Sequence, residues 1–287
     1  MTDGLEQRLR AHLQALSRPR NPYQHSEAHD QARAYLREAL QKQGRVVVEQ
    51  TFSTADYGEG SNILGYPVEE GASPTHLLVA HYDTVTGSPG ADDNGSAVAV
   101  ALEVASRCPH IEVLLPDLEE TGLLGARHFV ANDNRPSLPT LVLESIGYWS
   151  DEPGSQKHPA VLPLGFPTVY QQLQEREFRG DFLALLHLQA DTGLAEGLER
   201  SLCGTALRLS ISSEILGGPA APALYDFGRS DHLAFWEQQR PCLMLTDSAN
   251  FRNPNYHQPT DTAETLDYGR MAALVGHLGA FFDRHAG

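Results

Sequence analysis

The side chains best able to do chemistry in this sequence are imidazoles and carboxylates, and they recur at one kind of place. His81-Tyr82-Asp83 follows the apolar run Leu77-Leu78-Val79-Ala80, and Glu119-Glu120-Thr121-Gly122 comes soon after Ile111–Leu115. Glu144 follows Leu141-Val142-Leu143, and Tyr256-His257 lies one loop beyond Leu243-Met244-Leu245. A further segment, Gly90-Ala91-Asp92-Asp93-Asn94-Gly95-Ser96, precedes a helical pattern rich in small residues. Short apolar runs suit strands buried on both faces, and open α/β sheets bind ligands beyond the carboxyl ends of their strands. Singly, each motif has an ordinary reading: a hydrogen-bonded histidine, a turn with a helix N-cap, a solvated glutamate pair at a helix start. Their shared placement at strand ends points to a metal centre.

Imidazoles and carboxylates without thiolates suit hard-to-borderline divalent metals, zinc being the commonest. Three carboxylates and two histidines exceed the needs of one catalytic zinc but suffice for two ions sharing a bridging carboxylate. Such a pair polarises a carbonyl and activates water near neutral pH. Competing signatures are missing: there is no Gly-x-Ser-x-Gly elbow, Walker loop, Gly-x-Gly-x-x-Gly or His-Glu-x-x-His. Cys108, Cys203 and Cys242 are far apart and never form Cys-x-x-Cys, which argues against a disulfide framework and against a thiolate zinc site. Cys108 and Cys242 sit in apolar contexts and read as structural.

Positioning these residues requires an alternating architecture. Leu5, Leu9, Leu13 and Leu16, then Ala28, Ala32, Tyr35, Leu36 and Leu40, predict two helices within residues 1–44, the second stopping at Gly44. Strand-like runs follow from Val46 to Phe52, at Asn62-Ile63-Leu64, and at residues 76–80, 111–115, 141–143, 182–188, 206–211 and 242–245. Between them lie helical patterns at residues 96–107, 123–132, 192–202, 231–238 and 268–284. The expectation is an α/β fold: a three-layer α/β/α sandwich around a mixed, mostly parallel sheet, with residues 1–287 as one domain. Residues 148–180, rich in Pro, Gly, Gln and charge, read as a lid or insertion loop. The stretches Phe182–Leu188 and Pro219–Phe227 are expected to wall a specificity pocket.

The chain has 287 residues, enough for a substantial core, and its 21 basic and 37 acidic side chains leave a formal charge of −16. Such an acidic surface repels phosphate backbones, so nucleic acid is not an expected partner. No apolar stretch is long enough to span a membrane. The amino terminus lacks the basic and apolar regions of a secretory leader, so the expected location is cytoplasmic, a processed secreted form remaining open.

At these motifs the sequence resembles the co-catalytic zinc aminopeptidases, the group of bacterial leucyl aminopeptidases and aminopeptidase Y that also includes glutaminyl cyclases. The matching segments are Ala80–Asp83, Gly90–Ser96, Leu118–Leu123, Leu143–Gly147, Arg229–His232 and Tyr256-His257 with Asp261-Thr262, in the family's order. The resemblance implies two Zn²⁺ per chain: His81 and Glu144 on one, Glu120 and His257 on the other, Asp93 bridging. Asp83 would fix the His81 tautomer, and Asp92 would be a turn or supporting residue. Glu119 would take a proton from a metal-bridging hydroxide's parent water and pass it to the leaving amine. Arg229 and Tyr256 match positions that hold the tetrahedral oxyanion in some members. One departure stands out: the family's usual residue at the Glu144 position is Asp, which bears on exopeptidase subtype.

The implied function is a two-zinc aminopeptidase acting on peptides. The alternatives are a glutaminyl cyclase-like aminoacyltransferase using one zinc on Asp93, Glu120 and His257, and a non-catalytic binding domain of the same fold. Glu119 argues against the latter, since a scaffold has no need of a general base beside metals.

Overall fold

The computed structural model describes residues 2–67, 73–216 and 225–284. Helices α1 (Thr2–Leu16) and α2 (Ser26–Lys42) lead into a hairpin of β1 (Val46–Thr54) and β2 (Gly58–Tyr66). Next come β3 (Leu77–Val79), a wide turn at Ala91–Ser96, α3 (Ala97–Ala105), β4 (Glu112–Leu115), α4 (Leu124–Asn132) and β5 (Thr140–Glu144). Two short helices, α5 (Leu162–Gly165) and α6 (Pro167–Glu175), precede β6 (Leu183–Leu188), α7 (Thr192–Ser201), β7 (Ala206–Ile211) and α8 (Ser213–Leu216). The chain continues through α9 (His232–Glu237), β8 (Cys242–Thr246) and α10 (Tyr268–Arg284).

The strands form one eight-stranded sheet in the order β1-β2-β4-β3-β5-β8-β6-β7. Neighbours β4, β3, β5 and β8 run parallel, as do β6 and β7, while β1–β2, β2–β4 and β8–β6 are antiparallel. The sheet is therefore mixed, with a parallel centre, as expected. Period-two alternation explains why every residue of β3, β5 and β8 is buried: each strand feeds both faces. Leu78, Leu141, Leu143, Leu243 and Leu245 pack with α1, α2, α3, α7 and α10 on one side. Leu77, Val79, Val142, Met244 and Leu186 pack with α4, α6 and α9 on the other. Helix α3, AVAVALEVA, is apolar but for Glu103 and wholly buried, which is what such a helix requires. Its one charged residue, Glu103, is satisfied by Arg8 and His12 of α1.

The segment at residues 148–180, expected as a lid or insertion loop, is not all loop, because α5 and α6 occupy its middle. Pro163 and Pro167 read as helix breakers in the sequence. Each sits instead in a first turn, where a missing N–H costs nothing. Of the second proposed pocket wall, Pro219–Phe227, residues 219–224 lie outside the described residues.

After β3 the chain crosses to β4 on one side and later returns to β5 on the other. This reversal opens a crevice at the carboxyl ends of the parallel strands, where the candidate residues lie.

Candidate metal centre

His81 leaves the end of β3 and is buried, with its Nδ1 3.4 Å from Asp83 Oδ1. Asp83 has a second task that its spacing from His81 does not reveal. Its two carboxylate oxygens accept the backbone N–H groups of Glu119 and Glu120 at 3.0 and 3.2 Å. One carboxylate thus joins the β3 exit to the β4 exit. Leu118, just before the glutamate pair, takes a left-handed φ of 58°, a conformation of cost about 1–3 kcal/mol for a non-glycine residue. Three further bonds hold that turn: the Leu118 N–H donates to Asp117 Oδ1, the other Asp117 oxygen accepts the Ser61 N–H, and His29 lies 2.8 Å from Oδ1.

Asp93 lies in the wide turn, where Asp261 carries its backbone. The N–H groups of Asp92 and Asp93 donate to Asp261 Oδ1 and Oδ2 at 2.9 and 3.2 Å. Asn94 pins the same turn to β5, donating to the Leu143 carbonyl and accepting the Ser145 N–H. Asp92 supports rather than faces the cleft: it accepts from the Gly147 N–H, the Ser96 hydroxyl and Asn253 Nδ2. The turn opens at Gly90, whose φ is 58° and where a Cβ would fall 2.3 Å from Thr84 Cγ2 and 2.5 Å from the Asp93 carbonyl oxygen.

Glu144 ends β5, held by the Ser230 hydroxyl at 2.7 Å and the Ser145 hydroxyl at 3.2 Å. His257 comes from the long loop after β8, also with a left-handed φ, 59°. The ring of Tyr256 stacks on it at 3.8 Å, and Arg229 Nη2 donates to the Tyr256 oxygen at 3.1 Å. A cavity of about 100 Å³ adjoins these groups. Leu162, Val169, Leu173, Phe182, Ala184 and Leu186 line it together with Phe227 and Met244, while Lys157, Asp226 and Arg229 add charge. The expected contribution of residues 182–188 is thus present, and α5 and α6 add a wall that sequence reasoning did not anticipate.

The donors form two groups with Asp93 between them. His81 Nε2 lies 3.3 Å from Asp93 Oδ1, 3.4 Å from Glu144 Oε2 and 3.8 Å from Glu119 Oε2. His257 Nε2 lies 2.9 Å from Asp93 Oδ2 and 3.4 Å from Glu120 Oε2. Both ring nitrogens of His81, His257 Nε2 and Asp93 Oδ1 are buried with no hydrogen-bond partner. Unpaired buried donors of this kind are costly unless something else satisfies them.

The electrostatics agree with that requirement. Burial, reinforced by Glu144 and Glu120, pushes Glu119 well above the ordinary carboxylate range against the pull of His81. Burial and the charge of Asp93 do the same to Glu120. Burial also opposes the charge of Asp93, yet the His257 and His81 imidazoles hold it below the usual range. Asp231, with both oxygens buried and unpartnered, is pushed up to about 8 by burial and by Glu144. A crowd of carboxylates in a low-dielectric cleft calls for positive charge, and the N/O donor set fits zinc.

Sequence reasoning missed Arg20, and placed Asn94, Ser230 and Asp261 in motifs without a task. Arg20 had no signal at all, being one of two arginines, with Arg18, in the segment between two helices. It is fully buried and donates through Nε to the Tyr82 carbonyl and through its Nη atoms to Leu16, Pro89 and Gly90. It therefore ties the His81-Tyr82-Asp83 segment to the turn bearing Asp93. Burial lowers its pKa to about 10, partly offset by Asp261, Asp83 and Asp93, so it stays charged at neutral pH. Arg20→Met leaves those carbonyls short of a donor, and is expected to cost about 1–3 kcal/mol of stability and to weaken metal retention. Thermal unfolding and metal analysis after dialysis check this; a variant as stable and as well loaded as the parent would remove Arg20 from the account.

Comparison with known proteins places this geometry in context. The uncharacterized protein YfbL of Escherichia coli is 31% identical over 260 residues, covering 84% of this chain and 76% of YfbL. The probable lipoprotein aminopeptidase LpqL of Mycobacterium tuberculosis is 25% identical over 266 residues, covering 83% of this chain but only 47% of LpqL. Among solved structures, the Legionella pneumophila LapA aminopeptidase shares the fold with a TM-score of 0.66 at 17% identity, over 98% of this chain and 70% of LapA. No helix among the described residues is long and apolar enough to cross a membrane. The sequence model for Peptidase family M28 matches residues 62–153 and 208–279, the segments that carry every candidate ligand and both ends of the crevice, and the chain belongs to that family.

Proposed function

We propose that the protein is a two-zinc aminopeptidase that removes amino-terminal residues from peptides. The observation that carries this reading is the pair of donor groups sharing Asp93: His81 and Glu144 on one side, Glu120 and His257 on the other. When bound there, two zinc ions would polarise the scissile carbonyl and make water acidic enough to attack near neutral pH. The side chains do the rest. Glu119 lies farther from His81 than Asp93 or Glu144 does, which suits a proton carrier more than a ligand. It would accept a proton from the attacking water and return it to the leaving amine. Asp83 holds Glu119 and Glu120 by their backbones while facing the His81 ring, so it sets ligand direction and catalytic geometry together. The adjoining cavity would seat an apolar side chain of the residue being released.

Tyr256 and Arg229 fit the oxyanion. Because Arg229 donates to the phenol oxygen, the phenol's own proton is free to point into the crevice. Burial, with Asp93 and Glu144, raises the phenol pKa, so that proton is retained. Tyr256→Phe is expected to lower kcat about 10²–10³-fold, the cost of one oxyanion donor. Steady-state kinetics decide: a change confined to KM would make the phenol a substrate-binding group.

The overall reading is tested by incubating the zinc-loaded protein with leucyl and glutaminyl peptides. Release of free leucine, with about two equivalents of zinc per chain, is the expected result. Cyclisation of the glutaminyl peptide without release, and a single equivalent of zinc, would move the protein to the cyclase side. No turnover of either by the loaded protein would favour a binding role.

A further inference from the structure

A second convergence of metal-type donors lies at the other end of the parallel strands. Cys108 follows α3, His110 comes two residues later and just before β4, and Asp283 is in the last turn of α10. One donor atom from each, a sulfur, a ring nitrogen and a carboxylate oxygen, all lie within 4.8 Å of one another. Cys108 Sγ is 3.9 Å from Asp283 Oδ1, and His110 Nε2 is buried with no hydrogen-bond partner. Donors around a tetrahedral zinc stand about 3.5 Å apart, so side-chain adjustments alone would close the site. The catalytic crevice contributes no atom to it.

We propose that Cys108, His110 and Asp283 form a separate binding site for a zinc-type cation, which clips the carboxyl end of α10 to the turn between α3 and β4. A thiolate, an imidazole and a carboxylate together favour a borderline-soft ion such as Zn²⁺ over Mg²⁺ or Ca²⁺. Asp283 is exposed and His110 only partly buried, so the ion has a path in and a water can complete its coordination. On binding, the metal–sulfur bond forms as the thiol proton leaves to solvent, with no change of oxidation state. The charge environment makes this the weaker site. Arg45 Nη2 donates to the Cys108 carbonyl at 2.9 Å, and Arg107 is adjacent in sequence. Both cations favour a thiolate, but burial and Asp283 outweigh them and push the thiol up to about 11. Both also oppose a dication, whereas the crevice is crowded with carboxylates. The clip should therefore fill after the crevice does.

The test uses cobalt, because a thiolate ligand gives Co²⁺ a strong near-ultraviolet charge-transfer absorption that nitrogen and oxygen donors do not. None of the candidate ligands in the crevice is a thiol, so the signal is blind to the catalytic metals however many they are. The exposed thiol of Cys203 is first removed by Cys203→Ser, and that full-length protein is titrated with Co²⁺. The charge-transfer band is expected to rise only in the late equivalents, and to be lost in Cys203→Ser/Cys108→Ser. Asp283→Asn, at an exposed position with little bearing on folding, should weaken the late phase by at least about 10–100-fold while leaving the early equivalents and peptide turnover unchanged. No thiolate band at saturating cobalt, a band that survives loss of Cys108, or a late phase indifferent to Asp283→Asn would each overturn the proposal.

Discussion

Glu119→Gln is expected to fold normally, keep its full metal content and lose roughly 10²–10⁴-fold in kcat, the usual contribution of general acid–base catalysis. The amide keeps the size of the carboxylate and most of its hydrogen bonding but cannot take up and return a proton. The backbone anchor is unaffected, because Asp83 holds the Glu119 N–H and not its side chain. The effect should appear in kcat with KM little changed, since the lost interaction belongs to the transition state. Steady-state kinetics with parallel metal analysis provide the check. A variant with full metal content that cleaves at near the parental rate would remove Glu119 from the mechanism, leaving the metal-binding reading intact.

Asp93→Ala should have the broadest effect of any single substitution in the crevice. Its two oxygens face His81 at 3.3 Å and His257 at 2.9 Å, so its loss strips a donor from both groups at once. It also removes the charge that the two imidazoles hold in place. The expected result is a protein that retains neither zinc after dialysis and falls to background activity. The loss should exceed the roughly 10–100-fold drop in metal affinity typical of an outer partner. His257→Ala, by contrast, should chiefly weaken one ion. Metal analysis and calorimetric titration separate these cases. Retention of one tightly bound zinc by Asp93→Ala would mean that the carboxylate does not serve both groups.

The parts of the fold that were legible share a physical cause. Strands buried on both faces must be apolar throughout, so Leu77–Val79, Leu141–Leu143 and Cys242–Leu245 stand out against their surroundings. The residues following such runs emerge at the edge where ligands bind, which is why His81, Glu120 and Glu144 could be singled out. The segment holding α5 and α6 was less legible. There the local signals, proline and polar composition, are shared by loops and by short helices that start at a proline, and only packing of Leu162, Val169 and Leu173 against the sheet separates the two.

Sequence alone determined the chemical inventory: which donors exist, that no thiol is among the candidate ligands, and that the strands carrying them lie in an α/β sheet. These are local properties, set by residue type and by periodicities of a few positions. Tertiary structure alone decided which donors meet. Asp261 reaches back to the backbone of Asp93 from 168 residues away, and Arg20 spans two loops through carbonyls that any residue type would present. Cys108, read as a structural thiol, comes within 3.9 Å of Asp283 only because α10 packs against the end of α3. Contacts of this kind leave no periodic trace, because each depends on the folding of everything between its partners rather than on the residues beside them.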